Sequence, residues 1–433
     1  MTANIMKPTT IETTAQLNGL KMVFRALQYR NYRLYFGGQG ISLIGTWMQQ
    51  IAMSWLVYRL TNSAFLLGMV GFLGNLPILL FAPFAGVLAD RWNRHRMIVV
   101  VQTLAMIQAF ALAILVLTDM VTVGHVIFLS IFLGAVTAFD LPIRQSFLID
   151  LIEKPEDLSN AIAINSSMVN GARLIGPSIA GIIIAVTGEG ICFLVNGISY
   201  IAVIAALVAM RIPHKPLDRQ DGSMFRKLKE GFSYVVSDVP IRSILLLLSL
   251  ISLVGMPYTI LMPIFAKNIL HGGPHTLGFL MSATGVGALT GAVYLATRKS
   301  VKGLIGVVAL AAGIFGSGLV MFSLSHVIWL SLALMLITGF GMMVHMASCN
   351  TVLQTIAVQD KRGRVMSFFT IAFRGMIPFG SLMAGSLASS IGAPYTLTLG
   401  GAVCVIGALL FARRLPVLQK LANSAIDRNA AVH

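Results

Sequence analysis

Apolar stretches the length of a bilayer crossing recur along nearly all 433 residues of this chain. A membrane core takes about 20 residues of helix and tolerates few charges between the ends. Such stretches run at 34–58, 65–89, 97–118, 124–148, 160–186 and 190–210, and after a polar break at 241–266, 276–297, 303–323, 327–357, 365–390 and 394–413. With 57% apolar and 11% charged residues, a soluble fold has no way to cover this surface. The expectation is an all-α integral membrane protein, twelve transmembrane helices in two six-helix bundles.

The expected organisation is a tail at 1–19, a first bundle at 20–211, a linker at 212–238, a second bundle at 239–415 and a tail at 416–433. The linker holds Pro213, Pro216 and Gly222, then a basic amphipathic segment from Met224 to Phe232 that reads as a short helix on a membrane surface. No apolar core with a small-residue cleavage site opens the chain, so the first span is expected to act as its own insertion signal.

The net charge of +16 would suggest nucleic acid if it formed a face, but the basic residues sit between apolar stretches. Of 31 Lys and Arg, 27 fall on one side of the alternating spans; Arg59 and Lys267 fall opposite, and Arg173 and Arg374 lie inside spans. The positive-inside rule therefore predicts both termini and the linker in the cytoplasm. Cys192, Cys349 and Cys404 lie in apolar stretches without CxxC spacing, which argues against a disulfide framework or a zinc site.

The halves resemble each other weakly. Asn62 to Gly68 enters the second span much as Gly273 to Gly278 enters the eighth, and the basic residues from Arg91 to Arg96 find a counterpart from Arg298 to Lys302. A six-span repeat is what a rocking two-bundle transporter requires.

Between the second and third spans stands Gly86-Val87-Leu88-Ala89-Asp90-Arg91-Trp92-Asn93-Arg94-His95-Arg96. It resembles the loop motif of the major facilitator superfamily, with Asn93 where glycine is usual; asparagine also tolerates a left-handed turn. Gly86 permits close approach, Asp90 offers a carboxylate to a helix end, and Arg91 and Arg94 can pair with acidic residues, so the four are expected to form a conformational latch. Topology explains the basic residues but not Asp90.

The fifth span carries Gly171-Ala172-Arg173-Leu174-Ile175-Gly176-Pro177-Ser178-Ile179-Ala180-Gly181. This is similar to the fifth-span motif of proton-coupled exporters in the superfamily, with Ala172 and Ala180 where glycine is commoner. Pro177 bends the helix, and Gly171, Gly176 and Gly181 are expected to pack and seal against the glycine-rich eighth span. Ordinary packing accounts for the same residues.

Phe139 to Gln145, Asp157 to Ala161, Asn196 and Arg362 to Ser367 together resemble the branch holding the enterobactin exporter and the transmembrane secretion effectors. The likeness runs from about Phe24 to Leu415. It implies a bacterial inner membrane and export of small molecules.

Few ionisable groups lie deep in spans, where each costs about 2.5–3.5 kcal/mol on insertion scales and so tends to face a cavity or a partner. They are Asp140 and Arg144 on the fourth span, Arg173 on the fifth and Arg374 on the eleventh. Asp140 with Arg144 and Arg173 is expected to respond to protons; a permanent charge pair fixing register is the alternative. Arg374 has no acidic neighbour in its span, so it either binds an anionic group or caps carbonyls beside the Gly375 and Pro378 break. Gln49, Asn75, Asn165, Asn170 and Asn350 are the expected cavity amides, with Gln39, Gln50 and Gln354 as further candidates; each also suits an interhelical hydrogen bond. His345 reads as hydrogen-bonded structure, and the Gly272-Gly273-Pro274 break between His271 and His275 argues against a metal pair.

No G-x-x-x-x-G-K-[ST], H-E-x-x-H or G-x-S-x-G sequence occurs, which disfavours a primary pump and a membrane enzyme. The expected function is proton-coupled export of a small amphipathic molecule, a drug-like compound or a siderophore, by a monomer in the lipid bilayer with no cofactor but the proton gradient. Uptake by the same fold is the runner-up, and a non-transporting sensor a third reading.

Overall fold

A computed structural model describes residues 24–211, 232–298, 300–359 and 361–431; the side chains of 82–83, 86–91 and 427–431 fall outside the description. The expected tail at 1–19 and most of the linker, including the amphipathic segment up to 231, also lie outside the described residues.

The described chain is helical throughout. Helix α1 spans Arg30–Thr61, α2 Ala64–Arg91, α3 Arg94–Leu117, α4 Val123–Asp150, α5 Leu158–Thr187 and α6 Glu189–Val208. After the linker come α7 at Val239–Ile269, α8 Pro274–Ala296, α9 Leu304–Ser323, α10 Ile328–Ile356, α11 Arg362–Ile391 and α12 Ala393–Arg413. Among the described residues eleven helices are long and apolar enough to cross a membrane. Helix α1 is not one of them, since Arg30, Arg33, Gln39, Gln49 and Gln50 interrupt its apolar residues.

Local chemistry sets the ends. Thr122 and His125 form a reciprocal capping box at the start of α4, and Asp238 caps α7 by accepting from the Ile241 N–H at 3.0 Å. Asn93 corrects one expectation. Its φ is −65°, so it takes no left-handed turn; its side chain caps α3 by accepting from the Arg96 N–H at 3.0 Å. A hydrogen-bonding cap thus serves where glycine would have supplied only conformational freedom.

Two features were not foreseen. Helices α7 and α11 are interrupted by π-helical turns, at Ile251–Gly255 and Phe265–Ile269 in the first and Ile371–Gly375 in the second. The segment expected to be a tail forms a further helix, α13, at Leu415–Ala431, with Leu418 and Ala422 buried one turn apart.

The packing repeats between halves. Helix α1 packs on α6 as α7 packs on α12, α2 on α4 as α8 on α10, α3 on α6 as α9 on α12, and α3 on α4 as α9 on α10. The principal contacts between halves are α5 on α8 and α2 on α11, which exchange under the same correspondence. Small residues let these backbones meet: a Cβ built on Gly134 would lie 2.0 Å from the Gly74 carbonyl oxygen, and one on Gly339 2.1 Å from that of Thr284.

Candidate functional site

The inter-half contacts are concentrated at the end away from the chain termini. A Cβ on Gly68 of α2 would stand 2.8 Å from the Gly385 Cα of α11, and one on Gly181 of α5 3.0 Å from the Gly278 Cα of α8. Next to these, Ser178 donates to Ser282 Oγ at 2.6 Å, and Ser282 to the Leu174 carbonyl at 2.9 Å. Asn268 of α7 donates to Tyr58 Oη of α1 at 2.7 Å, and Lys267 Nζ to Asn62 Oδ1 at 2.8 Å. Toward the termini α5 and α8 part. The last close approach is Gly285 against Leu174, whose Cα is 3.0 Å from the built Cβ, whereas a Cβ on Gly171 would meet nothing within 4 Å. Ser166 and Ser167, on the following turns, are exposed. Among the described residues the halves thus meet at one end and part toward the other, which leaves a cleft between them.

The expected sealing residues divide accordingly. Gly181 and Pro177 meet α8, for the Pro177 carbonyl oxygen lies 2.6 Å from a Cβ built on Gly278. Gly176 packs instead on α1, 2.6 Å from Trp47 Cβ, and Gly171 packs on nothing.

At mid-depth the expected proton-responsive trio separates into two neighbourhoods. Asp140 on α4 pairs with Arg144 one turn on and accepts from Gln102 Nε2 of α3 at 2.7 Å, all within the first half. The buried Tyr35 and Tyr200 flank this pair. Arg173 lies elsewhere. Its guanidinium lies over the Trp47 ring of α1, 5.0 Å from the centroid. Pro177, four residues on, has no N–H to give the Arg173 carbonyl, so α5 is already loosened there. Arg374 projects from the π turn of α11 and is exposed; neither arginine makes a hydrogen bond or ion pair among the described residues. Carbonyl capping by Arg374 is therefore not what the structure contains.

The amides sort as sharply. Gln49 is corrected from cavity wall to bundle interior: it is 3% exposed, donates to Gln108 at 2.8 Å and accepts from Asn196 at 2.7 Å. Its neighbour Gln50, turned about 100° around α1, is exposed. Asn75 and Asn170 donate to carbonyls one turn back in their own helices, at 2.9 Å each, and Gln354 donates to Asn350 along α10. Asn165 is half-buried on the α5 face that carries Arg173 two turns later. His345 is buried with Nδ1 3.0 Å from the Val308 carbonyl, a structural placement.

Of the expected latch, Arg94 pairs with Asp150 at 3.1 Å, tying the start of α3 to the end of α4. The side chains of Gly86, Asp90 and Arg91, in the last turns of α2, lie outside the described ones. Sequence reasoning missed Trp47 and Gln102. Nothing in their own helices marks them; each is defined by a charged residue on another.

The family model for the transmembrane secretion effectors matches residues 23–431, the whole bundle. The chain belongs to this branch of the major facilitator superfamily. Relatives of this secretion-effector chain include the Staphyloferrin A transporter of Staphylococcus aureus, 27% identical over 387 residues, covering 88% of this chain and 96% of the relative. Macrolide efflux protein A of Streptococcus pyogenes is 24% identical, with coverage of 88% and 96%, and the multidrug efflux pump Tap of Mycolicibacterium fortuitum 25%, with 82% and 87%. The fold matches that of the POT family transporter PepTSo with a TM-score of 0.71 at 13% identity, over 90% of this chain and 99% of that one. It also matches a bacterial homologue of the iron transporter ferroportin with a TM-score of 0.66 at 14% identity, over 91% and 98%. The secretion-effector chain is thus a multi-pass membrane transporter.

Proposed function

We propose that this protein is a proton-coupled exporter of a small amphipathic molecule, working as a monomer by alternating access in a bacterial inner membrane. Twelve crossings in bundles 20–211 and 239–415 rock about the cleft, with both termini in the cytoplasm, where 27 of the 31 basic side chains then lie. The observation that carries this reading is the asymmetric cleft: the halves meet backbone to backbone at Gly181 and Gly278, yet part by Gly171. With that orientation the cleft opens to the cytoplasm, the side from which an exporter loads.

Export is favoured over uptake by the relatives whose names record efflux. Asp140 is the proton-responsive group, with Arg144 as its counter-charge and Gln102 holding its second oxygen. Protonation of Asp140 would release Arg144, a change of partners across α3 and α4 that a rocking bundle can use. Arg173 and Arg374 with Gln50 and Asn165 line the cargo site. Gly86, Asp90 and Arg91 with Arg94 form the latch at the cytoplasmic end.

The test uses energised inverted vesicles carrying the protein, with internal pH followed by fluorescence while amphipathic compounds and a siderophore are added. The expected result is compound-dependent loss of the pH gradient, absent without the protein and absent in Asp140→Asn. Intact coupling in that variant removes Asp140 from the mechanism.

A further inference from the structure

We infer that the recess between residues 232–237 and the α10–α11 turn binds the phosphate of an anionic phospholipid headgroup, through Lys361, Arg364 and Ser233. The site stands apart from the cleft and from the Asp140 pair, so its test is independent of the transport reading.

The last residues of the linker, 232–237, form a short helical segment ahead of α7. Side chains dock it on the turn between α10 and α11. The Phe232 ring lies 6.2 Å from that of Phe368, and the Val358 N–H donates to Tyr234 Oη at 3.5 Å. Lys361 Nζ stands over the Tyr234 ring, 4.8 Å from its centroid. Ser233 and Ser237 share one face of the segment, four residues apart, and Lys361 and Arg364 are three apart around the start of α11. With Tyr234, these four line a recess of about 390 Å³. A water molecule takes ~30 Å³, so there is room for a phosphodiester.

The chemistry of the walls selects the ligand. None of the five lining residues is acidic. Asp238, beside Ser237, accepts from the Ile241 N–H at 3.0 Å and so serves the backbone of α7. Among the described residues Lys361 makes no ion pair, and its neighbour is the Tyr234 ring. An ammonium over a ring face keeps N–H groups for an acceptor on its other side. A guanidinium three residues on can meet the same phosphate through two parallel N–H bonds. Ser233 offers a hydroxyl, whereas Ser237 is engaged, donating to the Tyr234 carbonyl at 3.0 Å.

The surroundings favour a lipid over a soluble phosphate. Phe232 and Val236, one turn apart on the segment that carries the serines, are 60% and 40% exposed, and Val358 is 47% exposed. Leu421 of α13, also exposed, lines the adjoining recess with Ser237. Apolar side chains thus surround a basic recess at the end of the bundle, the combination suited to acyl chains below a charged headgroup. A headgroup seated there would hold the end of the linker to the second half.

The test follows alkylation of Ser237→Cys by N-ethylmaleimide in the full chain, in nanodiscs of phosphatidylcholine with or without phosphatidylglycerol. Cys192, Cys349 and Cys404 are buried, which keeps the background low. We expect phosphatidylglycerol to slow alkylation at least about threefold, the slowing to vanish in Lys361→Gln and in Arg364→Gln, and to persist in Lys361→Arg. Ser300→Cys, exposed between α8 and α9 at the same end, should not respond. No slowing at Ser237→Cys overturns the proposal, and equal slowing at both cysteines reduces it to surface charge. Slowing that both glutamine variants keep, or that Lys361→Arg loses, overturns it as well. Equal protection by inorganic phosphate in phosphatidylcholine discs overturns the lipid source. Asp360, the acidic residue of this turn, lies outside the described residues. Protection confined to Asp360→Asn would mean that its carboxylate fills the recess, and overturns the proposal.

Discussion

Gly181 of α5 and Gly278 of α8 share one contact from both sides: a Cβ built on the first would lie 3.0 Å from the second's Cα, and one built on the second 2.9 Å from the first's. No larger residue fits either position while the helices stay at this distance. Gly181→Leu and Gly278→Leu should therefore insert into the membrane yet hold the cleft open at the end away from the termini. Transport is expected to fall at least about tenfold, and alkylation of a cysteine introduced at Ser282 from that side to rise. Gly171→Ala, which meets nothing within 4 Å, should leave alkylation unchanged.

A second closure acts through hydrogen bonds. Asn268 donates to Tyr58 across the halves at 2.7 Å, and a bond of this kind contributes about 0.5–1.5 kcal/mol net. Tyr58→Phe should thus shift the population toward opening at that end by roughly two- to tenfold, read by the same alkylation rate.

Gln49 and Gln50 separate packing from cargo. Gln49→Leu strands Gln108 Oε1 and Asn196 Nδ2, its partners at 2.8 and 2.7 Å, and should destabilise the protein by about 1–3 kcal/mol. Gln50→Leu, on the exposed side of α1, should change thermal unfolding in detergent by less than about 0.5 kcal/mol while altering cargo affinity.

Asp140→Asn leaves Arg144 without its counter-charge. Breaking a fully buried pair costs about 3–5 kcal/mol, and with side chains 13% and 21% exposed the cost should fall at the lower end. Adding Arg144→Gln should recover most of the loss in melting temperature without restoring coupling, which separates the structural from the proton-linked contribution of the pair.

Span positions were legible because period and length decide them: the stretch read at 160–186 is the helix Leu158–Thr187, and that at 394–413 is Ala393–Arg413. The close approach at Gly181 was legible too, since a small residue in a span signals it. What the sequence leaves open is rotation about each helix axis. Glutamines at 49 and 50 are alike in composition, and only the docking of α3 and α6 turns the first inward. Likewise Asp140, Arg144 and Arg173 read as one charged group, but Asp140 and Arg144 pair along α4 while Arg173, on α5, lies over Trp47 of α1. The π turns of α7 and α11 carry no sequence signature beyond nearby Gly255, Pro257, Gly375 and Pro378.

Rocking of the halves about the α5–α8 and α2–α11 contacts in response to protons can be read by two pairs of spin labels in lipid nanodiscs, one joining Ser167 to Thr297 at the termini end and one joining Ser63 to Ser390 at the other. The prediction is that acidification moves the two distance distributions in opposite directions, and that Asp140→Asn abolishes the response. Distances that move together, or that ignore pH in the wild-type protein, would rule out proton-driven rocking.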